Sequence, residues 1–557
     1  MTVLWLAAPS FAQEVDFGGK VASDLRFALS EPEEVDPWVP QLATHTGIPW
    51  NRTSLGTRTD ASAGKWRGVA DVELMLLGQT PTAVSLPDLS DASATSPVRI
   101  EVDALYVEAR DLLWRGHDLR IGQQVVQFGV GDQFNPTNTI NPNDVEDPLR
   151  FGDQAGNAMI RTDMTRGMTT FTAVLVPVFL PARVPASAPL GLSEVDRLPF
   201  NEEELRWRIA AEKAFAEDLG FPTVVSTATA EPPPAELENM AVALRLGTVI
   251  GSQDLGVSWY RGHADTPVAA HTHTTQLTGP FCDPEDADRC VDGLLSSDVT
   301  LTFPEITVYG VNGAGELPLP GKAPPLGWRI EAAVVVPERV HSTITNDDIA
   351  LLGVDSPAGE YAYPGGDTPT VLADTPYPKW VVGLDATLGR HVYVNAQWVH
   401  GTFDELGAGD NLLQTGFAVR NSSVAKDAAL GVCALTSDGS KCIDETLRVR
   451  QSDLAVVGVD VRFRSQRGLL RLFTITDLTG LRSSTVNPAT DQRTETRLGA
   501  FSDEALSFVL YPELSYDLGD GLSLAGGALV QLGAPETKFG DPAAGGSFAF
   551  MRAAYAF

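Results

Sequence analysis

The 557-residue chain is 43% hydrophobic and 20% charged, which excludes a disordered polymer and leaves room for several soluble domains or one very large one. Its 72 acidic against 40 basic side chains give a net charge of −32, which argues against nucleic acid as a partner. There is no Walker-type loop, no CxxC pair, no HExxH and no apolar run of about 18–20 residues that would make a membrane helix.

At the N-terminus, MTVLWLAAPSFAQ carries an apolar run from Val3 to Ala8, with Ser10 and Ala12 spaced like a signal-peptidase site before Gln13. No Lys or Arg precedes the run, so residues 1–12 are expected to be the remnant of a signal peptide. Residues 13–557 then read as one barrel domain, with too few residues ahead of the first strand for a plug.

Apolar residues follow period 2 along most of the chain. In 66–76, Trp66, Gly68, Ala70, Val72, Leu74 and Leu76 share one face, opposite Arg67, Asp71 and Glu73. The stretches 328–336, 457–464 and 506–516 repeat the pattern, whereas 47–60 is weak and is needed only to keep the parity of connections. Short turns are expected at 62–65, 115–118, 165–167, 251–254, 389–390, 465–468 and 517–521. They alternate with long Pro/Gly/Asp-rich loops near 31–46, 79–97, 130–156, 180–237, 264–297, 339–377, 403–445, 480–503 and 534–545. This asymmetry predicts an all-β fold: a transmembrane antiparallel β-barrel of sixteen to eighteen strands, eighteen preferred, with short periplasmic turns and long outside loops. Trp66, Trp114, Trp259, Trp328, Trp398 and Tyr516 are candidates for its interfacial girdles.

The segment RIGQQVVQFGVGDQFNPTNTINPNDVEDP, 120–148, begins as a strand and then loses alternation in a run of Asn, Pro and Asp. Loop 130–156 is expected to fold into the lumen as a constriction carrying Asp132, Asn135, Asn138, Asn141, Asp144 and Asp147. In the long loop 180–237, residues 201–219 have the Asn cap, acidic first turn and closing Gly of a helix. Cys282 with Cys290, and Cys433 with Cys442, form local pairs expected to be loop disulfides of an exported chain.

Alternation assigns Arg67, Asp71, Glu73, Arg99, Glu101, Asp103, Arg120, Gln124, Arg245, Arg329, Glu331, Asp460, Arg462, Arg464 and Arg552 to the pore lining. That is eight arginines against six acids, so the lumen is of mixed charge and the acidic excess lies in the loops. Arg120, Arg245, Arg329, Arg462, Arg464 and Arg552 set the field on one side, opposed by Asp71, Glu73, Asp103 and Glu331.

No cofactor is expected. Ca²⁺ at the acidic loops, 283–288 or 130–156, is a weak alternative to solvated charge, and His263, His271 and His273 lack the partners of a metal set. No nucleophile–base motif points to an enzyme. The expected surroundings are outer-membrane lipid and lipopolysaccharide, with divalent cations bridging the acidic surface, and a small-molecule solute in the lumen. A terminal strand, FAFMRAAYAF, sets Tyr555 and Phe557 on one face and resembles the signal read by the barrel-assembly machinery.

Gly122, Gln124, Val125, Val126, Phe128 and Gly129, followed by Ile140, Asn141, Pro142 and Asp144, resemble a segment of a domain-of-unknown-function family of large proteobacterial outer-membrane proteins described as porin-like. Further matches run through 177–185 and 237–267, and the resemblance spans about 98–267. It departs at Gln123, where the family has Arg, and at Phe128, where it has Trp. The resemblance implies a barrel with a transport-type role in the bacterial outer membrane. The expected function is passive or substrate-selective diffusion of small solutes; the competing one is an export component or a surface barrel plugged by its own loops.

Overall fold

Residues 66–77 illustrate how the wall forms. Trp66, Leu74 and Leu76 are exposed on one face, while Val69 and Met75 are buried on the other. Such a segment needs apolar surroundings outside and packing or polar partners inside, and pairing with neighbours on both edges satisfies its backbone.

In a computed structural model this pattern closes into a barrel. The structure describes all residues except 1–13, 30–46, 79–96, 132, 151, 185–224, 283–289, 322–323, 342, 352–353, 357, 361–369, 373–375, 403–416, 421–442, 450–451, 488–491, 535–536 and 541–545. The signal remnant, the helix expected at 201–219, the acidic run 283–288 and the Cys433–Cys442 pair lie outside the described residues.

The wall strands are β1 (Glu14–Ala28), β2 (Trp50–Ala63), β3 (Trp66–Leu77), β4 (Val98–Ala109), β5 (His117–Gln124), β6 (Asn157–Arg166), β7 (Thr169–Val176), β8 (Ala241–Ile250) and β9 (Gln253–His263). They continue as β10 (Glu305–Leu317), β11 (Leu326–Pro337), β12 (Tyr377–Leu388), β13 (Val392–Thr402), β14 (Ser452–Phe463), β15 (Gly468–Asp477), β16 (Phe508–Gly519), β17 (Leu522–Leu532) and β18 (Phe548–Ala556). Each pairs antiparallel with its sequence neighbour within an 18-stranded sheet, and β18 pairs with β1, from Lys20 opposite Ala556 to Ala28 opposite Phe548. The weak segment 47–60 is therefore a true strand, in register with β1 from Trp50 to Ser62. Both ends of the wall lie on the short-turn side, where Gly19 and Phe557 exchange two backbone hydrogen bonds of 2.9 Å.

The outer face is an apolar belt. Ile100, Val107, Val257, Leu472, Leu514 and Met551 are all exposed there. Trp66, Tyr555 and Phe557 are exposed at its turn end, and Trp398 toward its loop end, as the interfacial girdles require. Unpaired apolar surface on this scale, on a closed barrel with no free edge, is the architecture of a membrane-spanning barrel.

Several loops carry β-structure of their own. A five-stranded sheet joins Val268–Cys282, Cys290–Thr302, Val225–Glu231, Thr343–Asn346 and Gly359–Glu360, and a four-stranded sheet includes Ile443–Val449 and Leu481–Asn487. The loop expected at 264–297 is thus largely a hairpin, with Cys282 directly opposite Cys290 in register. Its alternation is Thr-rich and polar on both faces, so a search for apolar period 2 passes over it.

At Gly122 in β5, φ is +132°, and a Cβ would collide with the Leu105 carbonyl oxygen and lie 2.8 Å from Tyr106 Cα of β4. Gly122→Val adds a strain of about 1–3 kcal/mol for the backbone region alone. Its heat-modifiable gel band, the mark of folded barrel, is expected to weaken strongly.

Candidate permeation pathway

Strand β5 ends at Gln124, and residues 125–156 leave the wall and cross the lumen. The segment is closed on itself by asparagines. Asn141 Oδ1 accepts from Val126 N at 2.7 Å, and its amide donates to Gln124 O at 3.0 Å and Ala155 O at 3.1 Å. Asn138 Oδ1 accepts from Phe128 N at 3.3 Å, and its amide donates to Gln154 Oε1 at 2.6 Å. These residues staple the loop to itself, and both are buried, so they do not line an opening. Asn135 is half-buried, and its buried Oδ1 has no partner among the described residues. Asp132 lies outside the described residues.

The loop is then fastened to remote strands. Glu331 of β11, 1% exposed, accepts from Val130 N (2.8 Å), Gly131 N (3.0 Å), Thr137 N (2.7 Å) and Thr137 Oγ1 (2.8 Å). Asn312 of β10 donates to Phe128 O at 2.7 Å. On the other side, Asp147 Oδ2 accepts from Arg26 of β1 at 2.8 Å, and Glu146 pairs with Arg99 of β4 at 2.8 Å. Burial alone would raise the Asp147 carboxyl, but the Arg26 charge and hydrogen bond, with the Leu149 amide, hold it below the usual carboxylate range. Arg26 is itself clamped, 4.3 Å from the Trp50 ring centre and 5.1 Å from that of Phe548.

Apolar packing fills much of the remaining lumen. Val126, Phe128 and Ile140 of the loop join Met159, Val174, Ala243, Tyr260, Val308, Val335 and Tyr377 in one core. Phe134 and Leu149 pack against a second, built from Val381, Val399, Leu454, Val456, Ile475, Val509, Leu529, Phe548 and Phe550, with Phe539 of the last loop. The inner face from β6 to β18 is therefore largely covered on the loop side.

The uncovered part is polar. A cavity of about 590 Å³ runs along β18, β1, β2, β3 and β4 and is closed on its inner side by Asp147 and Arg150 of the loop. Its charged lining is balanced, with Lys20, Arg52, Arg58, Arg150 and Arg552 against Asp24, Asp71, Glu73, Asp103 and Asp147. Most of these pair across adjacent strands: Arg52 with Glu73 at 3.2 Å, Arg58 with Asp71 at 2.9 Å and Arg552 with Asp24 at 3.4 Å.

The predicted lumen residues end in different places. Asp71, Glu73, Asp103 and Arg552 meet on the cavity. Arg67 and Arg120 are held by the buried Glu108 at 3.4 and 2.7 Å, Arg99 by Glu101 at 2.8 Å, Arg329 by Asp385 at 2.6 Å, and Asp460 by Arg471 at 2.8 Å. These pairs lie on the inner wall but away from the cavity. Arg245 and Arg462 make no ion pair among the described residues. Gln124 is buried under the loop, with its amide 3.5 Å from Met159 O. Glu331 is a loop anchor, buried beneath segment 125–156.

Arg464 is a correction. The strand ends at Phe463, and Arg464 sits in the turn with φ +48°, so it is not on the inner wall. The alternation was carried one residue too far, into a turn whose positive φ values, at Arg464, Ser465 and Gln466, have no glycine to announce them.

Arg26, Arg52, Arg58, Asp24 and Lys20 were missed. For Lys20, Asp24 and Arg26 the signal was present: in Glu14–Ala28 the even positions Asp16, Lys20, Asp24 and Arg26 alternate with Val15, Phe17, Val21, Leu25 and Phe27, whereas Arg52 and Arg58 lie in the weakly patterned Trp50–Ala63. Among the described residues no group of three His, Cys, Asp or Glu side chains could hold a metal ion.

No protein-family model matches the chain, and no curated protein matches it. Solved structures that resemble it include OccAB1 of Acinetobacter baumannii, with 7% identity, TM-score 0.45, and coverage of 99% of this chain and 98% of that one. OccAB2 of the same organism has 8% identity and TM-score 0.44 over 99% of both chains. OpdL of Pseudomonas aeruginosa has 8% identity and TM-score 0.42 over 98% of this chain and 99% of that one. Similarity at this level gives no family assignment, and the domain-of-unknown-function resemblance stays an expectation drawn from the residues quoted for it. The fold rests on the chain's own eighteen wall pairings, and a closed barrel with an apolar exterior is the architecture of the bacterial outer membrane.

Proposed function

We propose that the protein is a porin-like outer-membrane channel through which small polar solutes diffuse along an off-centre, charge-lined path. The observation that carries this is the cavity beside β18 and β1–β4, where ten charged side chains keep water in one sector while apolar packing fills much of the rest. A hydrated strip with cations and acids on facing strands passes polar solutes and slows apolar ones. In this reading segment 125–156 sets the size limit, because its residues Asp147 and Arg150 form the inner bank of the path. Substrate preference is a property of the charges on that strip, since Arg67, Arg99, Arg120 and Arg329 are neutralised on the wall.

The second reading, a barrel plugged by its own loops, draws on the depth of the two apolar clusters, which recruit both segment 125–156 and Phe539. Planar-bilayer recording separates the two. Stepwise, stable currents from folded protein are expected. Folded protein that inserts and stays electrically silent would overturn the channel reading in favour of the plug.

A further inference from the structure

Strand β4 carries one residue more than its partner β3. Asp71 pairs with Ala104 and Val72 with Val102, so Asp103 is the extra residue of a β-bulge. Bulges re-aim side chains, and this one sets Asp103 on the cavity beside Asp71 and Glu73. The other cavity carboxylates are committed. Asp24 pairs with Arg26 and Arg552, Asp71 with Arg58, Glu73 with Arg52 and Asp147 with Arg26. Asp103 is exposed to the lumen and makes no hydrogen bond or ion pair among the described residues.

The bulge is held from the next strand. Gln123 Nε2 donates to Val102 O at 2.6 Å and to Gly156 O at 3.2 Å. A Cβ on Gly156 would sit 2.7 Å from Asp103 O and 3.0 Å from Val102 O, so any side chain there would push the bulge away. Gln123 shares strand parity with the exposed Ile121 and Val125, so its amide serves the wall, and the pore never sees it.

Resting on the channel reading above, we propose that Asp103 is the cation-selecting group of the pore, aimed by a bulge that Gln123 and Gly156 hold, and that it receives the ammonium group of a small amine solute. In a lining whose other acids are already neutralised by arginine, an uncommitted carboxylate is where a passing cation gains most. The arginines nearest to it are held elsewhere: Arg58 by Asp71, Arg52 by Glu73 and Arg150, on the same cavity, by Asp153.

The test is made on the full chain in planar bilayers under a KCl gradient, with n-butylammonium as the probe amine and butyrate as the acid control. Asp103→Asn is expected to lower the potassium-to-chloride permeability ratio by about threefold or more and to abolish block by butylammonium. Asp103→Glu is expected to keep the block. Gln123→Ala, with Asp103 intact, is expected to lower the ratio as well, and a wild-type ratio in that variant would remove Gln123 from the device. Conducting Asp103→Asn channels with unchanged ratio and block would overturn the assignment and leave the channel standing. Silence of folded wild-type protein would overturn both.

Discussion

Deleting residues 133–147 raises single-channel conductance by about twofold or more while the barrel remains closed. The deletion takes away Phe134, Thr137, Asn138, Asn141, Glu146 and Asp147, and with them the contacts to Arg26 and Arg99 and half of those to Glu331. None of the eighteen wall pairings involves these residues, so closure does not depend on them. Enough chain remains between Gln124 and Asn157 to join β5 to β6 without strain. The deletion uncovers apolar wall around Val381, Leu454 and Phe550, and the yield of folded protein is expected to fall for that reason. Conductance is measured per channel and is insensitive to yield. An unchanged value would mean that the conducting path avoids segment 125–156, and the size-limiting role would pass to another loop.

The wall was legible because each face of a transmembrane strand obeys a single rule. Trp66 to Leu77 could be assigned residue by residue, since lipid demands apolar groups outside and the turns at Gly64, Gly167 and Gly251 announce themselves. The inner face was legible only as polarity. That Arg67 and Arg120 end on Glu108, while Arg52 and Arg58 face the cavity, depends on the register between neighbouring strands, which alternation within one strand does not give. The anomaly at Gly122-Gln123-Gln124 did mark the place where the chain leaves the wall. Its details ran differently. Gln123, standing where the resembled family has Arg, braces the backbone of the neighbouring strand, so the substitution need not alter a pore charge directly. The loop's asparagines looked like pore lining and turned out to be internal staples, because turn-rich composition does not distinguish a loop that faces water from one that bonds to itself. Glu331 could be assigned to the inner face from the alternation of 328–336, but its four donors come from residues about two hundred positions earlier, beyond any local pattern.

Glu331→Gln undocks the same loop without removing an atom from it. Four donors converge on the Glu331 carboxylate, whereas a glutamine offers one acceptor oxygen and turns an NH₂ group toward the rest. Each buried donor left without a partner costs about 1–3 kcal/mol, so losing two of them weakens docking by roughly 2–6 kcal/mol. Since 1.4 kcal/mol is a factor of about ten, the undocked population rises at least tenfold. Recordings are expected to show new, larger conductance levels and added open-channel noise, while heat-modifiable migration stays that of folded barrel. Glu331→Asp, which keeps both oxygens on a shorter stem, falls between wild type and Gln. Combining Glu331→Gln with the 133–147 deletion identifies where the effect arises. Thr137 is then absent and only Val130 and Gly131 remain to lose a partner, so the substitution should add little to the deletion. An equal, additive increase in both backgrounds would mean that Glu331 acts on the wall itself, and the latch between β11 and the lumen segment would have to be given up.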